Sequence, residues 1–316
     1  MSWLRSSLVV GVTVASLSAS QALPPAPGQL VDIGRGRRLH LLCSGQGSPA
    51  VVLEAGASSF ALDWTLVQRE IAKTNRVCSY DRAGMGWSDP LPPGTDVTDT
   101  PDLHALVMAA HVPRPFVLVG ASRGGLLIRN YLLDHPSDVI GLVFVEPASE
   151  DRLFTMVGNQ ALAIAETTPD QIRSTLPFYP VKVPRRAVRR GTPFDRLPPE
   201  LYQHRLLLDQ KLIASSPDTV TREQQFRFRE YERAMLARLK ATRAAPTPFG
   251  DRPTVVLTRG DEPNPDRESV HAALAKLSSR SRHAVIAGAG REIHLFHPAA
   301  VSDAIREVAR QAANAR

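Results

Sequence analysis

Pro115-Phe116-Val117-Leu118-Val119-Gly120-Ala121-Ser122-Arg123-Gly124-Gly125 is the stretch that decides how the rest of the chain is read. Pro115 to Val119 is a near-continuous apolar run, the pattern of a strand buried on both faces. Gly125 to Leu133 reads as a helix stopped before Pro136. Between them stands a serine flanked by Gly120 and Gly124. Glycine is required there if the serine occupies a strained turn, because a Cβ would collide with neighbouring elements. Such a turn lifts the hydroxyl above the carboxyl edge of a sheet, at the positive end of the following helix. The plainer alternative is a serine that caps an ordinary helix. A strand before and a helix after favour the exposed turn, so Ser122 is the candidate nucleophile.

Working outward, strand-like and helix-like segments alternate. Leu30 to Ile33 and Arg38 to Cys43 read as strands around Gly34-Arg35-Gly36, and Ala50 to Glu54 as a short apolar strand. A helix follows with Asp63 as its N-cap. Arg76 to Tyr80 is the next strand, then the loop Asp81 to Ser88 and a helix from Leu103 to Ala110. Val139 to Val145 is a wholly apolar strand that closes on Glu146. From about Glu150 to Gly250 the rhythm breaks into an arginine-rich, proline-punctuated stretch, helical in pattern at Leu201–Ile213 and Arg222–Leu239. It returns with a strand at Pro253–Leu257, a helix near Ser269–Leu277, a strand at His283–Ala287 and a last helix at Ala299–Ala309. This alternation predicts an α/β chain whose mostly parallel sheet is covered on both faces, interrupted by a helical lid insertion. The expected division is a signal peptide over 1–22, a core in two parts over 23–149 and 251–316, and the lid over 150–250.

The 316 residues carry a net charge of +7, with 43% hydrophobic and 22% charged residues, which is ordinary for a globular protein. Lys182 to Arg190 is a basic run without zinc-ligand spacing, a helix-turn-helix or aromatic RNA-binding signature, so it reads as a solvated face and no nucleic-acid partner is expected. At the N-terminus, Arg5, the apolar run Leu8–Leu17 and the small residues Ser20-Gln21-Ala22 read as a secretory signal. The mature chain is then expected outside the cytoplasm, periplasmic or extracellular, with no membrane span left after processing. The two cysteines, Cys43 and Cys78, fit either a disulfide in an oxidising compartment or two buried thiols.

Leu53-Glu54-Ala55-Gly56, Tyr80-Asp81-Arg82-Ala83-Gly84-Met85-Gly86-Trp87-Ser88-Asp89, the Ser122 pentapeptide and the stretch Gly290 to Pro298 together resemble the α/β-hydrolase superfamily, in its exported serine-esterase-like branch. The resemblance implies that the Cys43 and Cys78 strands lie antiparallel, which makes a disulfide reasonable. It implies an acyl-enzyme on Ser122, hydrolysing a small carboxylic ester or related acyl compound without metal or cofactor. The oxyanion would be met by backbone N–H groups of Arg123 and Ala57, with Ser58 the runner-up. Relatives often carry His-Gly where this chain has Ala55-Gly56, but a backbone donor needs no particular side chain. The acid should fall between nucleophile and base in the chain order. Glu146 and Asp261 both qualify, and Glu146 is preferred because it closes an otherwise apolar strand.

The expected base is where the chain departs from the family. The pattern Gly-His becomes Gly290-Arg291, and a guanidinium keeps its proton at neutral pH. Two readings follow: His294, one turn further on, takes the role, or the protein is a degenerate hydrolase that binds a small ligand. His283 and His297 are poorer candidates. Arg123 and Arg291 near a helix N-terminus also suggest a site for a carboxylate or phosphate, unless both pair with lid carboxylates. Oligomeric state leaves no trace in the sequence.

Overall fold

The computed structural model describes residues 23–91 and 99–314; the expected signal peptide, residues 1–22, lies outside them. The strands β1 (Gln29–Asp32), β2 (Arg38–Ser44), β3 (Val51–Glu54), β4 (Val77–Tyr80), β5 (Phe116–Ala121) and β6 (Val139–Val145) precede the insertion. After two two-stranded ladders within the insertion, β7–β8 and β9–β10, come β11 (Thr254–Gly260) and β12 (Ser281–Ala287). The main sheet has the order β1-β2-β4-β3-β5-β6-β11-β12. β1, β2 and β4 pair antiparallel, and every pair from β4 onward across the sheet is parallel. The disulfide Cys43–Cys78 joins β2 to β4 at directly opposed positions.

Alternate residues of β5 serve opposite faces. Phe116 and Leu118 join a cluster with Leu103, Leu106, Ile128, Tyr131 and Leu274, from helices α2 (Asp99–Ala109), α3 (Arg123–Asp134) and α7 (Pro265–Ala275). Val117, Val119 and Ala121 face Val67, Ile71, Val301, Ile305 and Val308, from α1 (Thr65–Ile71) and α9 (Pro298–Ala313). Burial on both faces explains why β5 and β6 read as unbroken apolar runs.

Between β6 and β11 the expected helices are present as α5 (Pro199–Ser215) and α6 (Arg222–Thr242), with the short α4 (Pro169–Ser174) before them. Beside these helices the insertion holds short strands that the helical pattern did not include, β7 (Phe154–Val157) paired with β8 (Gln160–Ala163) and β9 (Val181–Lys182) with β10 (Thr219–Val220). The first pair turns at Gly158-Asn159, Gly158 having φ 59°, and leaves Phe154 and Met156 exposed. A two-residue hairpin of this kind has no buried apolar run to announce it. The Asp63 expectation also changes. Asp63 lies within a 3-10 turn, Ala61–Trp64, ahead of α1, and its buried carboxylate accepts from Phe60 N–H and from Arg205 Nε at 2.9 Å. Arg205 comes from α5, so insertion and core share a fully buried ion pair.

The Ser122 turn depends on close approach. A Cβ on Gly120 would stand 2.6 Å from the Gly124 carbonyl oxygen, and one on Gly124 would stand 2.5 Å from that of Glu54. Both obstacles are backbone. Gly120→Ala is therefore expected to lower unfolding stability by about 2 kcal/mol or more, measured by urea denaturation; an unchanged midpoint would show that the turn can relax.

Candidate active site

Ser122 follows β5 directly and has φ 49°, ψ −118°, strained for a residue with a side chain. Its backbone is held on both sides. Its N–H donates to Val145 of β6, and its carbonyl accepts from Gly125 and Ala148. The hydroxyl makes no capping bond to α3, so the helix-cap alternative does not describe it. It instead faces two adjoining cavities of about 400 Å³ and about 390 Å³, both lined by Ser122 and Arg291.

The loop after β3 forms one wall. A Cβ placed on Gly56 would lie 3.4 Å from Ser122 Cβ. Arg82 shapes this loop: its Nη1 donates to the Ala55 carbonyl and its Nη2 to the Gly56 carbonyl, each at 2.7 Å. In a trans peptide the N–H points opposite to the C=O. Drawing the Gly56 carbonyl onto Arg82 therefore turns the Ala57 N–H to the other side of that peptide. Arg82 is itself fixed by the buried Glu54 carboxylate, which also accepts from Tyr80 Oη. Burial pushes Glu54 up as an acid, against the lowering pull of the Arg82 cation. Ser58 has φ 54°, and its carbonyl accepts from Arg189.

The two candidate acids separate. Glu146 has φ 43° and a buried carboxylate that lines a cavity with Ser122 and Arg291. It accepts from the Arg259 N–H at 2.7 Å and lies 3.3 Å from Arg259 Nε and 3.6 Å from Arg267 Nε. Burial raises its pKa above the usual carboxylate range, while the Arg259 N–H bond and the cations of Arg267, Arg259 and Arg291 pull it back down. Asp261 is exposed, accepts from the Glu262 N–H and pairs with Arg259 at 3.6 Å. It lines neither of the two cavities beside Ser122.

Arg291 stands where the family pattern has its histidine, and its Nη2 donates to Ser122 Oγ at 3.1 Å. His294, on the short helix α8 (Ile293–Phe296), lines the first cavity but makes no hydrogen bond to Ser122 among the described residues. Its ring packs on Trp64 with centroids 4.6 Å apart, and its Nδ1 is buried without a partner. Burial, then the Arg205 cation, push it down to about 3, so it is neutral at pH 7 and a weak base. His283 shares a Thr258 hydroxyl with His271, away from the serine, and His297 lines neither cavity.

Arg123 also departs from its expected place in the ligand site. Its guanidinium pairs with Asp99 and with Glu232 of α6, each at 3.3 Å, and does not line either cavity. A cation at a helix N-terminus is disfavoured by the dipole, and these two carboxylates offset it. Its backbone N–H, in the first turn of α3, is independent of that pairing. The basic run is corrected as well. Arg185 is exposed and paired with Asp218, but Arg186 and Arg189 turn inward to line the Ser122 cavity. Arg152, Arg259 and Arg267 line the second cavity. Their spacing carried no signal of convergence.

No helix among the described residues is long and apolar enough to cross a membrane. Among curated proteins, a probable transporter of Hormonema carpetanum is 37% identical over 131 residues, 38% of this chain and 18% of that one. An AB hydrolase superfamily protein of Gibberella zeae is 35% identical over 107 residues, 32% of this chain and 33% of its own. The chain thus spans less than half the length of these relatives. Solved structures match far more of it. A putative lipase from Acinetobacter baumannii covers 91% of this chain and 92% of its own, with TM-score 0.63 and 15% identity. A thermophilic esterase from Thermogutta terrifontis covers 90% and 97%, with TM-score 0.58 and 19% identity. At such identities the likeness shows the fold. The family model described as the alpha/beta hydrolase fold matches residues 49–298, and the chain belongs to that family.

Proposed function

We propose that this protein is an exported hydrolase of small acyl compounds that carry an anionic group, with Ser122 as the acylated residue and Arg291 as an anion anchor. Ser122 Oγ attacks the acyl carbon, the leaving group departs, and water then cleaves the ester on Ser122. The developing oxyanion is met by the N–H groups of Arg123 and Ala57, the latter oriented through Arg82. The observation that carries this reading is the Arg291 Nη2 bond to Ser122 Oγ. It places a permanent cation against the attacking atom, backed by the Glu146 carboxylate. That cation pairs with an anionic ligand and takes no proton from serine, so the proton passes to solvent and turnover is slow. The same bond supports a second reading, a protein that binds such a compound without turning it over.

A fluorophosphonate probe separates the two. Slow labelling of the wild type, lost in Ser122→Ala, is expected; no labelling of folded protein would favour the binder. Loss of the histidine from a comparable triad lowers turnover about a millionfold. Arg291→His puts an imidazole between Ser122 and Glu146 and is expected to raise ester hydrolysis about a hundredfold or more. No gain, in a variant that still labels, would show that Glu146 does not serve as the acid.

His294 is predicted to act on stability rather than on turnover. It is held at about 3 in the folded chain and titrates near 6.5 when unfolded. Between these values the unfolded chain binds more protons. The contribution is therefore complete above roughly pH 6.5 and is lost as pH falls toward 3. His271, pushed by burial to about 4, acts in the same sense. His294→Phe keeps a ring on Trp64 and removes one titration, so its urea midpoint should fall less between pH 7 and pH 4.5 than that of the wild type. Equal losses would overturn this assignment.

A further inference from the structure

The basic run Lys182 to Arg190 is unused by the acyl chemistry, yet it supplies two walls of the cavity beside Ser122. We infer that Arg186 and Arg189 form a second anion subsite there, so that the ligand carries a phosphate or carboxylate remote from its reacting acyl carbon. This rests on the Ser122 reading for where the acyl group lies, but not for the anion binding itself.

Both arginines are positioned from behind. Asp209 of α5, fully buried, accepts from Arg186 Nη2 at 2.6 Å and from the Arg189 N–H at 2.8 Å. The Arg189 guanidinium also donates to the Ser58 carbonyl and lies 5.0 Å from the Phe194 ring. One carboxylate therefore holds the Arg186 guanidinium and the Arg189 backbone, and lies 3.9 Å from Arg189 Nε, while Arg291 brings a third cation to the same cavity. Its lining offers a single acid, Glu292. Arg205 adds positive potential from behind the wall, its own partner being Asp63.

Arg189 Nε is buried 3.9 Å from Asp209 Oδ1 without a hydrogen bond, and Nδ1 of His294, a residue 4% exposed, is buried without a partner. Burial and the Arg205 cation hold Arg189 below the usual arginine range. A solvated surface arginine would feel neither. At about 400 Å³ the space suits a small molecule, and fixed planar donors suit the oxygens of phosphate or carboxylate. Because these cations are held before the ligand arrives, little ordering is left to the binding step.

The test is calorimetric titration with malonate, inorganic phosphate and acetate. The dicarboxylate or the phosphate should bind more tightly than acetate, and the stronger of the two identifies the remote group. Arg189→Gln should weaken that binding about tenfold or more, as expected for loss of charge-assisted hydrogen bonds. Arg185→Gln removes the same charge from the same run outside the cavity and should change it less than about twofold. Equal effects of the two variants would mean diffuse attraction and overturn the subsite. Should Arg189→Gln fail to fold, Arg189→Lys and Arg186→Lys keep the charge but lose the planar fork; unchanged affinity in both would overturn it equally. Wild-type protein that does not label with fluorophosphonate but shows the Arg189 effect leaves the subsite standing and removes the Ser122 reading. Labelling without the Arg189 effect does the reverse.

Discussion

The buried pair of Glu54 and Arg82 is the constraint on which the geometry around Ser122 depends. Glu54 ends β3, and Arg82 stands two residues after β4, the strand beside it. Two charges removed from water cost several kcal/mol each before their attraction is counted, and such a pair is rarely a net gain over apolar packing. Its return here is geometric. Arg82 spends two further donors on the Ala55 and Gly56 carbonyls, which fixes the peptide planes of the loop facing the serine. The strained turn at Ser122 is held by a parallel device, its N–H on β6 and its carbonyl on Gly125 and Ala148. Sheet edge, loop and helix start are thereby set before any ligand arrives.

Much of the fold was legible because burial on both faces leaves a plain mark. The apolar runs of β5 and β6 and the glycines around Ser122 admit few other readings. The substitution at Arg291 was equally plain, since a residue type is visible without a structure. Partnerships between distant polar residues were not legible. Asp63 looks like a helix cap, and only α5, folded back from some 140 positions further on, turns it into the partner of Arg205. Arg186 and Arg189 look like a solvated run because nothing local announces the buried Asp209. Glu146 could be preferred over Asp261 from its strand, but its coordination by Arg259 and Arg267 depends on tertiary packing.

On the proposed reading, an arginine in place of a histidine changes what the centre is for. Imidazole can accept and return a proton within one catalytic cycle, while a guanidinium only donates hydrogen bonds. On the same reading, the strained serine and its neighbouring N–H groups serve to meet negative charge beside Arg291, which moves no proton. His294 is neutral at pH 7 and makes no hydrogen bond to Ser122 among the described residues. A ring packed on Trp64, neutral and close to the Arg205 cation, is part of the wall.

The Arg205–Asp63 pair has a consequence for traffic into the site. Both side chains are essentially inaccessible to water, and the guanidinium also lies over the Phe194 ring at 3.6 Å. Swinging the insertion away as a rigid flap would break this pair and expose the apolar contact of Leu208 with Phe60 and Leu62 to water. On the proposed reading, a ligand would then arrive by diffusion to a standing aperture rather than at the frequency of a hinge. With cations facing that aperture, the encounter rate for an anionic molecule should fall steeply as ionic strength rises.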